Sequence, residues 1–390
     1  MFERIISHKL KVLVTQYPIV AITGPRQSGK TTLVKHVFPE RPYVSLEDPD
    51  IREFASTDPR GFLSTYPVGT ILDEIQRAPE LFSYLQTRVD EIGREGLYIL
   101  TGSFNLGLME GISQSLAGRV ALLNLLPLSL LELARANQEP KTLQNLLFTG
   151  LYPRIHDKKI SPHEWCANYV STYLEKDVRM VTKVTDLGRF QRFIKMCAAR
   201  SGQILNLSAL GDDCGITHNT AGAWLSVLQA GFIVFLLRPH YKNFNKRLIK
   251  RPKLYFHDPG LLCYLLGIDT PQSLAIHAFR GHIFETWVVG ELLKGRFNRG
   301  LKENIYFWRD NVGHEVDCLI DRGMTLIPVE IKSGETVTRD FFKGLNYWYK
   351  ISQSPPGEGY LVYGGEVDQK RKEGHVLGWR SFVKKLPPEI

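Results

Sequence analysis

Three short runs near the start of the chain carry residue types whose spacing suits them to a polyphosphate. Gly24-Pro25-Arg26-Gln27-Ser28-Gly29-Lys30-Thr31, followed by Thr32, has the form G-x-x-x-x-G-K-[ST]. Its glycines let the backbone wrap an anion closely, and the amides of Gln27 to Thr31 face that anion with a helix dipole behind them. Lys30 then supplies charge for the β- and γ-phosphates, Thr31 a hydroxyl ligand for Mg2+, and Thr32 a contact to the α-phosphate. Thr70-Ile-Leu-Asp73-Glu74 adds an acidic pair at a strand end. Asp73 is suited to orient Mg2+ through water and Glu74 to polarise an attacking water, a pairing that points to hydrolysis rather than nucleotide storage. Leu100-Thr-Gly-Ser103-Phe-Asn105 closes another strand with small polar residues, suited to sense a γ-phosphate through Ser103 or Asn105.

A second constellation lies far downstream. Glu285 falls in the helical pattern Gly281 to Glu291, Asp317 in Glu315-Val-Asp-Cys-Leu-Ile320, and Glu330 with Lys332 in Ile327-Pro-Val-Glu-Ile-Lys332. Period-two geometry puts Glu330 and Lys332 on one face of a strand and Val329 and Ile331 on the other. If the strand bearing Asp317 pairs antiparallel beside it, Asp317, Glu330 and an ammonium converge at one sheet edge. That set could hold Mg2+ through Asp317 and Glu330 and activate water, with Lys332 orienting the nucleophile or stabilising a pentavalent phosphate. The competing reading is a set of carboxylates salt-bridged to Lys332 with no metal. His282 and His314 lie near these acids and read as ordinary polar residues.

The elements that must position these residues follow from the patterning. From Pro18 to about Leu128, short apolar runs alternate with helix-length patterns, which predicts βαβ units around a mostly parallel sheet. Strands are expected at 19–23, 43–46, 69–73 and 97–101, with a turn and helix over 27–38. The pattern is helical from about Leu130 to Arg200, with 165–178 amphipathic. Residues 205–210, a turn at 211–215 and a helix over 217–229 predict a helix-turn-helix, which places Ala221, Trp224, Leu225 and Leu228 on a buried face. Thr217, His218, Asn219, Thr220 and Ser226 are left for a partner such as a major groove. Strands over 232–237 and 253–257 would form a β-hairpin wing. Between Arg238 and Lys253 stand seven Lys or Arg, with Tyr241 and Phe244 among them, suited to salt-sensitive phosphate contact. Residues 280–379 read as one helix, three strands, a helix and a strand.

Taken together, the runs Ile22-Thr-Gly-Pro-Arg-Gln-Ser-Gly-Lys-Thr-Thr32, Ile71-Leu-Asp-Glu-Ile-Gln76 and Leu100-Thr-Gly-Ser103 resemble a prokaryotic branch of the AAA-type P-loop ATPases. Leu116-Ala-Gly-Arg-Val120, Pro127-Leu-Ser129 and Gly150-Leu-Tyr-Pro-Arg154 fit the same resemblance, which extends over nearly the whole chain. It implies ATP hydrolysis with ATP and Mg2+, and makes Arg119 a candidate for charge sensing or a trans arginine finger, with a structural ion pair as the alternative. The order helical Glu, Asp, then Glu-x-Lys is similar to the PD-(D/E)xK nuclease fold. That likeness implies Asp317 and Glu330 as metal ligands, Lys332 as the catalytic lysine and Glu285 as the helical acid.

Composition sets the outer bounds. The chain has 390 residues, 43% apolar, enough to bury a sizeable core, and 49 Lys and Arg against 40 Asp and Glu give a net charge of +9. Such a balance favours polyanions, DNA foremost. Its apolar runs fall short of a membrane span, and Lys9 and Lys11 interrupt any signal-like segment, so a cytoplasmic protein is expected. The five cysteines stand far apart, against a zinc site or disulfide framework. The resulting expectation is an α/β chain: a P-loop NTPase domain with a parallel sheet over 1–135, a helical linker over 136–200, a winged helix over 201–270 and an α/β nuclease-like domain over 271–390. Its function would be ATP hydrolysis coupled to action on DNA, with a homo-oligomer left open. The rival is a nucleotide-dependent signalling switch with a protein partner and an inactive nuclease-like scaffold.

Overall fold

The computed structural model describes residues 2–66, 68–103, 111–112, 114–174, 186–241 and 248–385. The chain divides into two compact units, one of Met1–Leu128 with Ala230–Phe232 and Phe297–Leu301, the other of Ser129–Gln229, Ile233–Arg296 and Lys302–Ile390.

In the first unit, β1 (Ile19–Thr23), β2 (Tyr43–Ser45), β3 (Ile71–Asp73), β4 (Tyr98–Gly102) and β5 (Val120–Asn124) form a sheet in the order β2-β3-β4-β1-β5. Every pairing in it is parallel. All five residues of β1 are buried because both faces are covered, as a parallel sheet requires. Ile19 and Ala21 join one core, packed with Leu81, Phe82, Leu85 and Val89 of helix α5 (Leu81–Ile92). Val20 and Ile22 join the other, with Leu10, Leu13 and Val14 of α1 (Ser7–Val14) and Leu33 and Val34 of α2 (Lys30–Val37). Helices α3 (Pro49–Thr57) and α4 (Pro59–Thr65) fill the β2–β3 crossover. The sequence reading contains neither α1 nor β5. The latter is an edge strand with alternate residues half-exposed, whereas every residue of β1 is buried.

The second unit begins with short helices α6 (Leu130–Arg135), α7 (Leu143–Thr149), α8 (Pro153–Lys158) and α9 (Pro162–Tyr169), then α10 (Leu187–Ala198). The amphipathic segment expected over 165–178 is helical to Leu174, and its end lies outside the described residues. Helices α11 (Leu207–Cys214) and α12 (His218–Ala230) are joined by a tight turn at Gly215. Ala221, Trp224, Leu225 and Leu228 are buried as the periodicity predicts, and Trp224 sets its ring edge-on against Phe190 and Phe193 of α10 at 5.4 Å each. A three-stranded antiparallel sheet follows, β6 (Gln203–Ile204), β8 (Lys253–Phe256) and β7 (Val234–Leu237) in that order. Beyond α13 (Pro259–Leu265) and α14 (Pro271–Ile276) runs the long α15 (Arg280–Phe297).

A six-stranded sheet completes this unit, in the order β13-β14-β12-β11-β10-β9. It comprises β9 (Ile305–Arg309), β10 (Glu315–Asp321), β11 (Leu326–Lys332), β12 (Tyr360–Tyr363), β13 (Gln369–Arg371) and β14 (Gly374–Gly378). Strand β10 pairs antiparallel with β11, the arrangement that brings Asp317 beside the Glu330 strand. Helix α16 (Lys343–Ser352) packs Leu345, Trp348 and Tyr349 onto Trp308, Val316, Leu319 and Leu361 of the sheet. The β13–β14 hairpin is absent from the sequence reading. Its first strand is short and polar, and only its pairing to β14, which runs parallel beside β12, makes it a strand.

Candidate functional site

The glycine-rich loop occupies the turn from β1 into α2. At Gly24 a Cβ would collide with the Leu125 carbonyl oxygen, and Gly29 caps α2 with φ at +92°, so both positions need glycine. Lys30 is buried, and its Nζ donates to the carbonyl oxygens of Gly24 and Pro25 at 2.9 Å each. Burial lowers the Lys30 ammonium from its ordinary value to about 8, against the opposing pull of Glu74 and Asp73. Ser28 Oγ is buried with no hydrogen-bond partner among the described residues, an unmet polar group inside the loop. Arg4 braces the loop from outside by donating to the carbonyl oxygens of Ser28 and Leu126, both at 2.7 Å.

The carboxylates arrive on β3, whose neighbours β2 and β4 hold them. Asp73 Oδ2 accepts from Thr31 Oγ1 at 2.9 Å and from the Tyr43 hydroxyl at 2.6 Å, and Thr101 donates to its other oxygen. Glu74 turns the chain in the left-handed region at φ +56°, uncommon for a residue with a side chain and often found where a site fixes the backbone. Its carboxylate accepts from Ser103 and from Gln76 Nε2, the latter at 2.5 Å. Lys30, Thr31, Asp73, Glu74 and Ser103 thus meet at one end of the sheet. Asn105 lies outside the described residues. Tyr43, Gln76, Thr101 and Arg4 belong to this constellation, and none of them was singled out as a site residue from the sequence.

This set fits a divalent metal. A threonine hydroxyl and a carboxylate already share a hydrogen bond at 2.9 Å, the hard oxygen donors that Mg2+ prefers, beside a buried lysine and an orphaned serine hydroxyl. Thr31 and Asp73 would hold the ion, which when bound would neutralise phosphate charge.

Arg119 is placed elsewhere. The register Ile19↔Val120 and Thr23↔Asn124 puts it before the first residue of β5, at the sheet end opposite the glycine-rich loop. Its guanidinium makes a bidentate pair with Asp90, at 2.6 and 2.8 Å. Charge sensing within its own chain does not fit that position, whereas the ion-pair alternative does.

The downstream constellation is also brought together, with a change of membership. Three carboxylates, Glu285, Glu315 and Asp317, offer oxygens within 4.8 Å of one another. Glu315 was not singled out from sequence, although Glu315-Val-Asp317 alternates along β10 as Glu330-x-Lys332 does along β11. Lys332 Nζ bridges Asp317 at 2.8 Å and Glu330 at 2.7 Å. Against the cost of burial, Lys332 and Lys253 hold Asp317 below the usual carboxylate range, while burial and the neighbouring Asp317 push Glu330 well above it. Lys253, counted from sequence among the cations facing outward, is buried here and pairs with Glu285 at 2.9 Å and with Glu315. His314 stacks on Tyr347 at 3.9 Å and bonds to Asp310 at 3.0 Å. All five cysteines are buried and free of disulfides.

Comparison with known proteins finds three family matches along the chain. Residues 16–134 match an AAA domain family, while residues 140–272 and 280–382 match two families described only as domains of unknown function. The uncharacterized protein Rv2008c of Mycobacterium tuberculosis is 29% identical over 330 residues, 84% of this chain and 73% of its own length. The uncharacterized protein Mb2031c of Mycobacterium bovis matches to the same extent, 29% over 330 residues. Among solved structures, the Walker-type ATPase PABY2304 of Pyrococcus abyssi aligns at 16% identity with a TM-score of 0.47, covering 68% of this chain and 96% of that one. Among the described residues no helix is long and apolar enough to cross a membrane. The parallel sheet and the loop between β1 and α2 give the first unit a P-loop ATPase-like fold, and its residues 16–134 are similar to the AAA domain family.

Proposed function

We propose that this chain binds ATP with Mg2+ and hydrolyses it, and that turnover is coupled to nucleic acid, DNA in the first instance. The observation that carries the reading is the convergence of Lys30, Thr31, Asp73, Glu74 and Ser103 at the sheet end where β1 opens into α2. In this assignment Gly24 to Thr32 cradle the triphosphate and Lys30 meets the β- and γ-phosphates. Thr31 and Asp73 hold Mg2+. Glu74 polarises the attacking water and Ser103 positions Glu74.

Nucleic-acid contact is assigned to the α11–α12 pair and the strands behind it, read as a winged helix. Thr217 is exposed just before α12 and His218, Asn219 and Ser226 on it, and Lys250 and Arg251 are exposed before β8, with Tyr241 at 72% exposure. The domain over β9 to β14 is read as nuclease-like in fold. Its lysine-neutralised carboxylates favour a binding or scaffold role over cleavage.

The test is steady-state ATP hydrolysis by the full chain with and without single- and double-stranded DNA at two salt concentrations. Hydrolysis that DNA stimulates, less so at high salt, supports the reading. Hydrolysis indifferent to DNA removes the nucleic-acid half and leaves the protein-partner switch.

A further inference from the structure

The PD-(D/E)xK likeness implies a divalent metal among the downstream acids, and the side chains there disagree with it. Glu315 and Asp317 project from the same face of β10, Glu285 reaches them from α15, and the point between Glu285 and Glu315 is taken by an ammonium. Lys253, only 4% exposed, comes from β8 and sets Nζ 2.9 Å from Glu285 Oε1 and against Glu315 Oε1. The Tyr255 hydroxyl, from the same strand, donates to that Glu285 oxygen at 2.5 Å. The second oxygen of Glu315 accepts from Arg309 at 2.9 Å. Asp317 Oδ2 accepts from the Ile331 amide and Lys332, both at 2.8 Å. Glu330, the other expected ligand, bonds to Lys332 and turns its free oxygen toward Gly344 of α16, where a Cβ would collide with it.

Three carboxylates of the cluster therefore face three cations, Lys253, Arg309 and Lys332. A Mg2+ or Mn2+ ion bridging Glu285 and Glu315 needs oxygens at about 2.1 Å, which places it on the Lys253 nitrogen. Two like charges cannot share that volume in a buried site.

We infer that the Lys253 ammonium is the resident cation of the Glu285–Glu315–Asp317 cage, so that the chain takes up no divalent metal there while β8 lies in place. Removal of the ammonium leaves three carboxylates of suitable spacing and turns the cage into a divalent-cation site. This inference does not rest on ATP hydrolysis.

The experiment is Mn2+ titration of the nucleotide-free full chain, read by the loss of free-Mn2+ electron paramagnetic resonance signal. The variants are Asp317→Asn, Lys253→Met and Lys253→Met/Asp317→Asn, with circular dichroism to establish folding. The parent and Asp317→Asn should titrate identically. Lys253→Met should gain one site at least tenfold tighter than any in the parent, and the double variant should lose it. A parent site that Asp317→Asn abolishes overturns the inference, as does a folded Lys253→Met with no gain. If Lys253→Met does not fold, the comparison of parent with Asp317→Asn decides alone.

Discussion

The Tyr43 hydroxyl donates to Asp73 Oδ2 at 2.6 Å, the same oxygen that accepts from Thr31 at 2.9 Å. The side chain at the start of β2 thereby fixes the carboxylate at the end of β3, and burial together with this bond pushes the Tyr43 phenol above its usual value. Tyr43→Phe should raise the Mg2+ concentration needed for half-maximal hydrolysis about three- to tenfold, the net worth of one typical intramolecular hydrogen bond. A variant that merely loses stability would leave that midpoint unmoved.

Glu74 is held by Ser103 and Gln76 in a backbone conformation that few side chains adopt. In the proposed mechanism it acts on water and not on bound nucleotide. Glu74→Gln should therefore reduce turnover by about a hundredfold or more while ATP affinity changes little. Equal losses in affinity and turnover would assign Glu74 to binding.

Lys30 gives a pH signature. Burial holds its ammonium near 8 instead of 10.5, so the nucleotide-free chain keeps the proton below about pH 8 and loses it above. The phosphates meet the ammonium, so ATP affinity should be flat below pH 8 and fall by up to about tenfold per unit above it. Stability of the nucleotide-free fold should move the other way, rising between pH 8 and 10.5 because the unfolded chain binds more protons there. Isothermal titration from pH 6.5 to 9.5 reads the first effect and chemical denaturation the second.

Gly344 lies against the buried Glu330 oxygen, with no room for a methyl group. Gly344→Ala should cost about 1–3 kcal/mol of stability by overpacking. The penalty should shrink in a Glu330→Ala background, because the two sites are in contact and their effects do not add. Thermal unfolding of the parent and the three variants closes this cycle; additive losses would mean that Gly344 is needed for another reason.

What was legible in the sequence was local. The glycine-rich loop, the Asp73-Glu74 pair and the amphipathic face of α12 are each contained in one short run, whose spacing alone fixes their geometry. Glu330 and Lys332 were readable for the same reason. The contacts that complete both sites join distant segments: Tyr43 to Asp73 across 30 residues, Lys253 to Glu285 across 32, and Arg4 to Leu126 across 122. Lys253 was the most misleading, since a lysine in a basic run reads as solvated until β8 pairs with β7 and turns it inward. Arg119 was open in the sequence between charge sensing, a trans arginine finger and an ion pair, and only the register of β5 against β1 shows which end of the sheet it occupies.

The most direct test is titration of the purified chain with ATP and Mg2+ beside its Lys30→Ala variant. Saturable binding by the parent that weakens about ten- to hundredfold in the variant, the loss of charge-assisted contacts to phosphate, is the predicted result. Equal affinity in the two proteins, or none in the parent, would contradict the account.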